Sequence, residues 1–152
     1  GGVSVGEEDH VKPAVEAEGE LTLWSIAVKP GKPLAFGKVG QADFVGLPGN
    51  PVSAFVTFCL LVRPFIRKCQ GASDVLPTAR QLVAGFDWRK PGNRREFLRV
   101  RIGGDGRLER FPNQSSGVLT SCIWADGLAD IPAGATVSPG DTVSYLAFGA
   151  LP

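Results

Sequence analysis

A change of pattern across residues 71–78 constrains the fold of this chain more than any other feature. Before it lies one long apolar segment; beyond it lie only short runs separated by turn residues. Asn50 is a good N-cap, Pro51 a good first helical residue and Gly71 a good stop, so residues 51–70 are predicted to form a helix. Its early turns, from Val52 to Val62, are apolar nearly all round, which predicts extensive burial. Pro64 removes one backbone hydrogen bond inside it and predicts a kink. Residues 71–78 carry Ala, Ser, Asp and Pro without periodicity and read as a linker.

Ahead of the long helix, helical and extended signals alternate. Residues 9–18 have helical character with Pro13 near the start, and 21–28 form a strand-like run closed by Pro30-Gly31. Residues 34–39 and 43–47, separated by Gly40-Gln41, read as a hairpin. After the linker, strands are expected at 80–88, 95–102, 107–111, 128–131 and 142–148, with a short helix at 118–125. Turns fall at Pro91-Gly92-Asn93, Gly103-Gly104-Asp105-Gly106 and Pro139-Gly140-Asp141, a spacing that suits a small β-barrel or sandwich. Along 95–102, Leu98, Val100 and Ile102 share one face and Arg95, Phe97, Arg99 and Arg101 the other.

With 152 residues the chain has room for one full domain or two small ones. The net charge of +1 argues against bulk nucleic-acid or membrane-surface binding. No apolar run reaches the roughly 18 residues of a membrane span, and no signal peptide is visible. Cys59, Cys69 and Cys122 lack metal-ligand spacing and fit reduced thiols in a cytoplasmic protein. There is no methionine, and the chain begins in a glycine-rich stretch, so a fragment lacking its natural N-terminal portion is expected.

Two features suit an oxyanion. Lys29-Pro30-Gly31-Lys32-Pro33 is a stiff cationic corner, in which prolines restrict two lysines. Gly46-Leu47-Pro48-Gly49-Asn50-Pro51-Val52-Ser53 leads into a helix start whose free N–H groups and dipole favour anions, with Ser53 adding a hydroxyl. Taken alone, the corner is more readily an ordinary turn, and the helix start as readily an ordinary cap. Gly1-Gly2-Val3-Ser4-Val5-Gly6 has the composition of a phosphate loop without the spacing of a known one, and Glu7, Glu8 and Asp9 behind it suit Mg²⁺ or a plain acidic helix start. With His10 the sole histidine, His-based metal sites and Ser-His-Asp triads are poorly supported. Arg89, Lys90, Arg94, Arg95, Arg99 and Arg101 form a basic cluster with Glu96 its only acid, and Arg94 could clamp an oxyanion. Asn113-Gln114-Ser115-Ser116-Gly117 offers hydroxyl and N–H donors.

Taken in order, these motifs become more specific. The Gly1–Gly6 stretch with Asp9, the corner continued by Leu34-Ala35-Phe36-Gly37, residues 46–53, Arg94-Arg95-Glu96-Phe97-Leu98-Arg99-Val100 and residues 114–117 together resemble the C-terminal part of the molybdopterin molybdotransferases, bacterial enzymes related to the gephyrin E domain. The resemblance covers essentially the whole chain. It implies an α/β fold, part of a molybdopterin-binding domain with a mixed sheet and helices, followed by a small all-β barrel domain. The expected division is 1–72, a linker at 73–79, and 80–152.

The resemblance also implies molybdenum cofactor biosynthesis, in which a transferase inserts molybdate into adenylylated molybdopterin and releases AMP with Mg²⁺ present. Lys29, Lys32 and Pro33 would shape the molybdate pocket, with Arg94 and Ser116 approaching from the barrel domain. Gly1, Gly2, Ser4, Gly6, Gly49, Asn50 and Ser53 would lie on the pterin-phosphate side, and Asp9 on the Mg²⁺ side. Homodimerisation would use N-terminal domains upstream of Gly1, and the fragment alone would be inactive. Two positions depart from the pattern: Ser25 stands where a lysine is usual, and Gln114-Ser115-Ser116-Gly117 replaces Gln-Gly-Ser-Gly. The alternatives are a non-catalytic gephyrin-like scaffold and a pterin- or nucleotide-binding module.

Overall fold

Two sheets organise residues 10–149, the part of the chain that the computed structural model describes. The first is a three-stranded antiparallel sheet of order β1-β3-β4, from β1 (Gly19–Ser25), β3 (Pro33–Val39) and β4 (Ala42–Gly46). Helix α1 (Val11–Glu18) precedes it and buries Val15. The expected hairpin is present, and Gly40 turns it at a φ of 59°, where a side chain would be strained.

The strand expected over 21–28 is broken in two. β1 stops at Ser25, the Ile26 N–H donates to the Lys32 carbonyl at 3.0 Å, and the Ala27 carbonyl accepts the Arg95 N–H at 3.1 Å. The backbone there finds partners in two places, so the chain leaves the first sheet. It continues as β2 (Val28–Lys29), which runs parallel to β6 (Arg95–Ile102) with Val28 opposite Arg95 and Lys29 opposite Glu96. The first half of the chain therefore supplies a strand to the sheet of the second.

The long helix is also composite: α2 (Pro51–Thr57), a π-helical turn (Phe58–Val62) and α3 (Arg63–Cys69). Pro64 has no N–H to donate, and its ring crowds the carbonyl four residues back. The wider π turn accommodates it, and the Arg63 N–H reaches back to the Phe58 carbonyl. Burial is one-sided rather than all round. Val52 and Val56 are fully buried, whereas Phe58, Leu61 and Ile66 are about two-fifths exposed.

The second sheet has order β2-β6-β8-β9-β5, with β7 paired to β6. Its later strands are β5 (Arg80–Val83), β7 (Leu108–Arg110), β8 (Gly127–Ile131) and β9 (Thr142–Ala147), and helix α4 (Thr120–Trp124) interrupts them. This is not the expected closed barrel. Among the described residues the sheet stays open, and β5 approaches β7 only through a bridge from Ala84 to Leu108 and the Gly85 N–H donated to the Leu108 carbonyl at 2.9 Å. Strands of four and three residues are too short to close a ladder there.

Both faces of β6 are covered. Leu98 and Val100 enter one apolar cluster with Leu108, Ile131 and Tyr145. Phe97 enters a second, in which Val52 and Val56 of α2 pack on Leu128 and Leu146. Each fully buried aliphatic side chain there stabilises by about 1.5–3 kcal/mol. This second cluster fixes α2 against the second sheet and so positions the loops at its N-terminal end.

Candidate functional site

The Lys29–Pro33 corner lies where the chain leaves β2 for β3, so both sheets hold it. The Lys29–Pro30 peptide bond is cis. Gly31 has a φ of 118° and rests on α2; a Cβ there would stand 2.5 Å from Thr57 Oγ1 and 3.7 Å from the Ser53 carbonyl oxygen. Only glycine combines that backbone with so close an approach. Pro30 and Gly31 are buried, while Lys32 and Pro33 face solvent.

Cations gather at the β2–β6 junction. The Lys29 ammonium lies 3.3 Å from Glu96 Oε2, its side chain half exposed and that of Glu96 almost wholly buried. Arg94 donates from Nη1 to the Val28 carbonyl at 3.2 Å, one residue before Lys29. Lys32 has no ion pair among the described residues. The rest of the basic cluster is dispersed: Arg89 pairs with Asp87, Arg95 with Asp130 and Arg101 with Glu109. It does not act as one positive patch.

A second group of contacts surrounds the start of α2. Gln114 Oε1 accepts the Arg99 N–H at 2.9 Å, and Gln114 Nε2 donates to the carbonyls of Arg99 and Phe111 at 3.0 and 2.9 Å. Arg99, 1% exposed, donates from Nε to Ser121 Oγ at 3.1 Å and from Nη2 to the Ser115 carbonyl at 3.2 Å. Burial without a carboxylate partner pushes the Arg99 pKa down to about 10. The turn so fastened presents the Ser116 carbonyl to the Val52 N–H at 3.1 Å.

That contact corrects the expectation of a fully open helix start. The Val52 N–H is taken, Ala54 donates to the Asn50 carbonyl at 2.9 Å, and the Asn50 side chain makes no capping bond. Ser53 is buried, so its hydroxyl is withdrawn from solvent, while Gly49 and Asn50 are exposed. The structure thus ties Arg94 to the backbone of the residue before Lys29, and links that junction to Ser116 only indirectly, through Gly31 and α2. Gly1, Gly2, Ser4, Gly6, Glu7, Glu8 and Asp9 lie outside the described residues, as does the side chain of Ser25.

Sequence reasoning did not assign roles to Glu96, Gln114 or Thr57. The signal for Glu96 was its position as the lone acid in a basic run, and Gln114 stood in a turn singled out for its donors; nothing marked Thr57. Beside the corner, a mostly apolar cleft of about 440 Å³ opens among Val28, Pro30, Val56, Leu60, Phe97 and Leu146. Lys29, Lys32, Arg94 and Ser116 do not line it. No helix among the described residues is long and apolar enough to cross a membrane.

Residues 1–68 match the family model described as "Probable molybdopterin binding domain", and residues 81–148 match "MoeA C-terminal region (domain IV)". The chain is 50% identical over 112 residues to a molybdopterin molybdenumtransferase of Haemophilus influenzae, covering 72% of this chain and 28% of that protein. It is 37% identical over 143 residues to the molybdenum cofactor synthesis protein cinnamon of Drosophila melanogaster, covering 88% of this chain and 23% of that one. A solved molybdopterin biosynthesis MoeA protein from Pyrococcus horikosii superposes with a TM-score of 0.69 at 31% identity, over 90% of this chain and 34% of that one. A molybdenum cofactor biosynthesis protein from Pyrococcus furiosus, at 22% identity, shares the fold with a TM-score of 0.72, over 93% of this chain and 55% of that one. The chain therefore spans about a quarter of the length of these curated relatives.

Proposed function

Because the chain belongs to the MoeA family of molybdopterin molybdenumtransferases, we propose that it acts in molybdenum cofactor biosynthesis as part of a longer transferase. That transferase inserts molybdate into adenylylated molybdopterin and releases AMP. One observation supports the reading: Arg94, from the second half of the chain, donates to the Val28 carbonyl beside Lys29, at a junction fixed by backbone pairing.

Molybdate is a tetrahedral dianion, which ammonium groups bind without demanding planarity and a guanidinium holds through directed N–H bonds. Lys29, Lys32 and Arg94 supply the charge, and Pro33 stiffens the exit from the corner. Ser116, whose carbonyl secures α2, offers a hydroxyl that has no hydrogen bond among the described residues. Gly49 and Asn50, both exposed, border the pterin-phosphate side, with Ser53 buried behind them. The protein contributes placement of two reactants and electrostatic stabilisation of the charge that moves between them.

The Gly1–Gly6 loop and Asp9 belong in this reading to the phosphate and Mg²⁺ end. Among the described residues no group of three or more His, Cys, Asp or Glu side chains is placed to hold a cation. A cytoplasmic location and homodimerisation through upstream domains belong to the same proposal. Lys32→Ala and Arg94→Ala in the full-length protein are expected to raise the molybdate concentration for half-maximal activity while leaving pterin binding intact. A half-saturation point unchanged in both variants would remove this pocket.

A further inference from the structure

Glu96 is 3% exposed, and its carboxylate has one partner, the Lys29 ammonium at 3.3 Å from Oε2. The other oxygen, Oε1, is buried with no hydrogen-bond partner and lies against Gly92 so closely that a side chain there would collide with it. A buried carboxylate held by one contact is costly, and such pairs are weak contributors to stability. Stability therefore does not account for its place.

Its geometry points elsewhere. Glu96 and Lys29 face each other in the β2–β6 register, so the carboxylate pins an ammonium from the first half of the chain onto a strand of the second. Lysine otherwise carries a compact charge on a flexible stem that must be ordered whenever it meets an anion. Arg94, two residues before Glu96, donates to the Val28 carbonyl at the same junction.

Building on the molybdate reading, we infer that Glu96 is a positioning residue: it holds the Lys29 ammonium at the wall of the oxyanion pocket and acts on the reaction only through Lys29. Glu96→Gln keeps the side chain's size while removing the charge that fixes Lys29. The molybdate concentration for half-maximal activity then rises about two- to tenfold, the range expected when one such side chain must be ordered on binding. The maximal rate stays within about twofold of wild type, since Lys29, Lys32 and Arg94 are all present.

The test is a double-mutant cycle in the full-length protein with Glu96→Gln, Lys29→Ala and both together, read as molybdate half-saturation and maximal rate. Action through Lys29 makes the double variant match Lys29→Ala alone, and Glu96→Asp, which keeps the charge, recovers part of the loss. Effects that multiply in the double variant, or a Glu96→Gln half-saturation equal to wild type, overturn the inference while leaving the pocket in place. A flat response to Lys29→Ala itself overturns it differently, by removing Lys29 from the pocket. Thermal unfolding of the same four proteins without molybdate separates these cases. A clasp between Lys29 and Glu96 shows there as coupling whether or not the pocket takes molybdate.

Discussion

Gly31→Ala tests how the cationic corner is held. Gly31 sits at a φ of 118°, a conformation that costs an L-residue about 1–3 kcal/mol. The new methyl group would stand 2.5 Å from Thr57 Oγ1, and Thr57, 1% exposed, has no room to withdraw. Overpacking of that kind adds about 1–3 kcal/mol. A combined loss of about 3 kcal/mol corresponds to a melting temperature lower by about 6–12 °C in a chain of this size. Thr57→Ala removes a buried hydroxyl that already has no partner, so alone it costs little. Combined with Gly31→Ala it relieves the collision and leaves the backbone strain, recovering about half of the loss. Circular dichroism melts of the four proteins measure this, and molybdate titration of the full-length forms reports whether the corner has lifted from α2. A Gly31→Ala melt within 1 °C of wild type, on the order of a few tenths of a kcal/mol, would refute the reasoning. So would a double variant no more stable than Gly31→Ala.

Two further outcomes are expected. Burial pushes the Cys59 thiol from its ordinary 9.0 to about 11, so at pH 8 its thiolate fraction falls about ninetyfold. Iodoacetamide labelling read by mass spectrometry should modify Cys59 at least that much more slowly in the folded protein than in the unfolded chain, and equal rates would show that the thiol is not sequestered. Gln114→Ala removes three hydrogen bonds that tie Arg99 and Phe111 to the Ser116 turn, with a loss of about 1–3 kcal/mol in urea unfolding. The Val52 amide should then exchange its hydrogen faster, and unchanged protection would mean that Gln114 does not support that turn.

Local chemistry made much of the fold legible. Asn50, Pro51 and Gly71 marked the long helix, and alternation placed β6 from Arg95 to Ile102. Pro64 marked where the helix departs from regularity, but the response, a π turn in place of a bend, depends on what α2 and α3 pack against. The pairing of β2 could not be read, because two residues carry no period and their partner lies more than sixty residues away. The covered face of β6 was hidden for a related reason. Arg99 in a run of arginines reads as solvated, and only the turn from Gln114 and the helix from Thr120 supply the neutral oxygens that allow it inside. For the proposed site, residue types singled out Lys29, Lys32 and Arg94 as candidates, whereas the Lys29–Glu96 contact needed the sheet register to become visible.

The crossing of β2 into the second sheet has a mechanical consequence. The covalent boundary at 71–78 is not the boundary along which the molecule can part. Swinging the two halves open would first break the β2–β6 backbone pairing and then pull α2 from Phe97, Leu128 and Leu146. The start of the corner and Arg94 are therefore tied to the same sheet. Parting the halves costs backbone pairing and apolar burial together, however free residues 71–78 are.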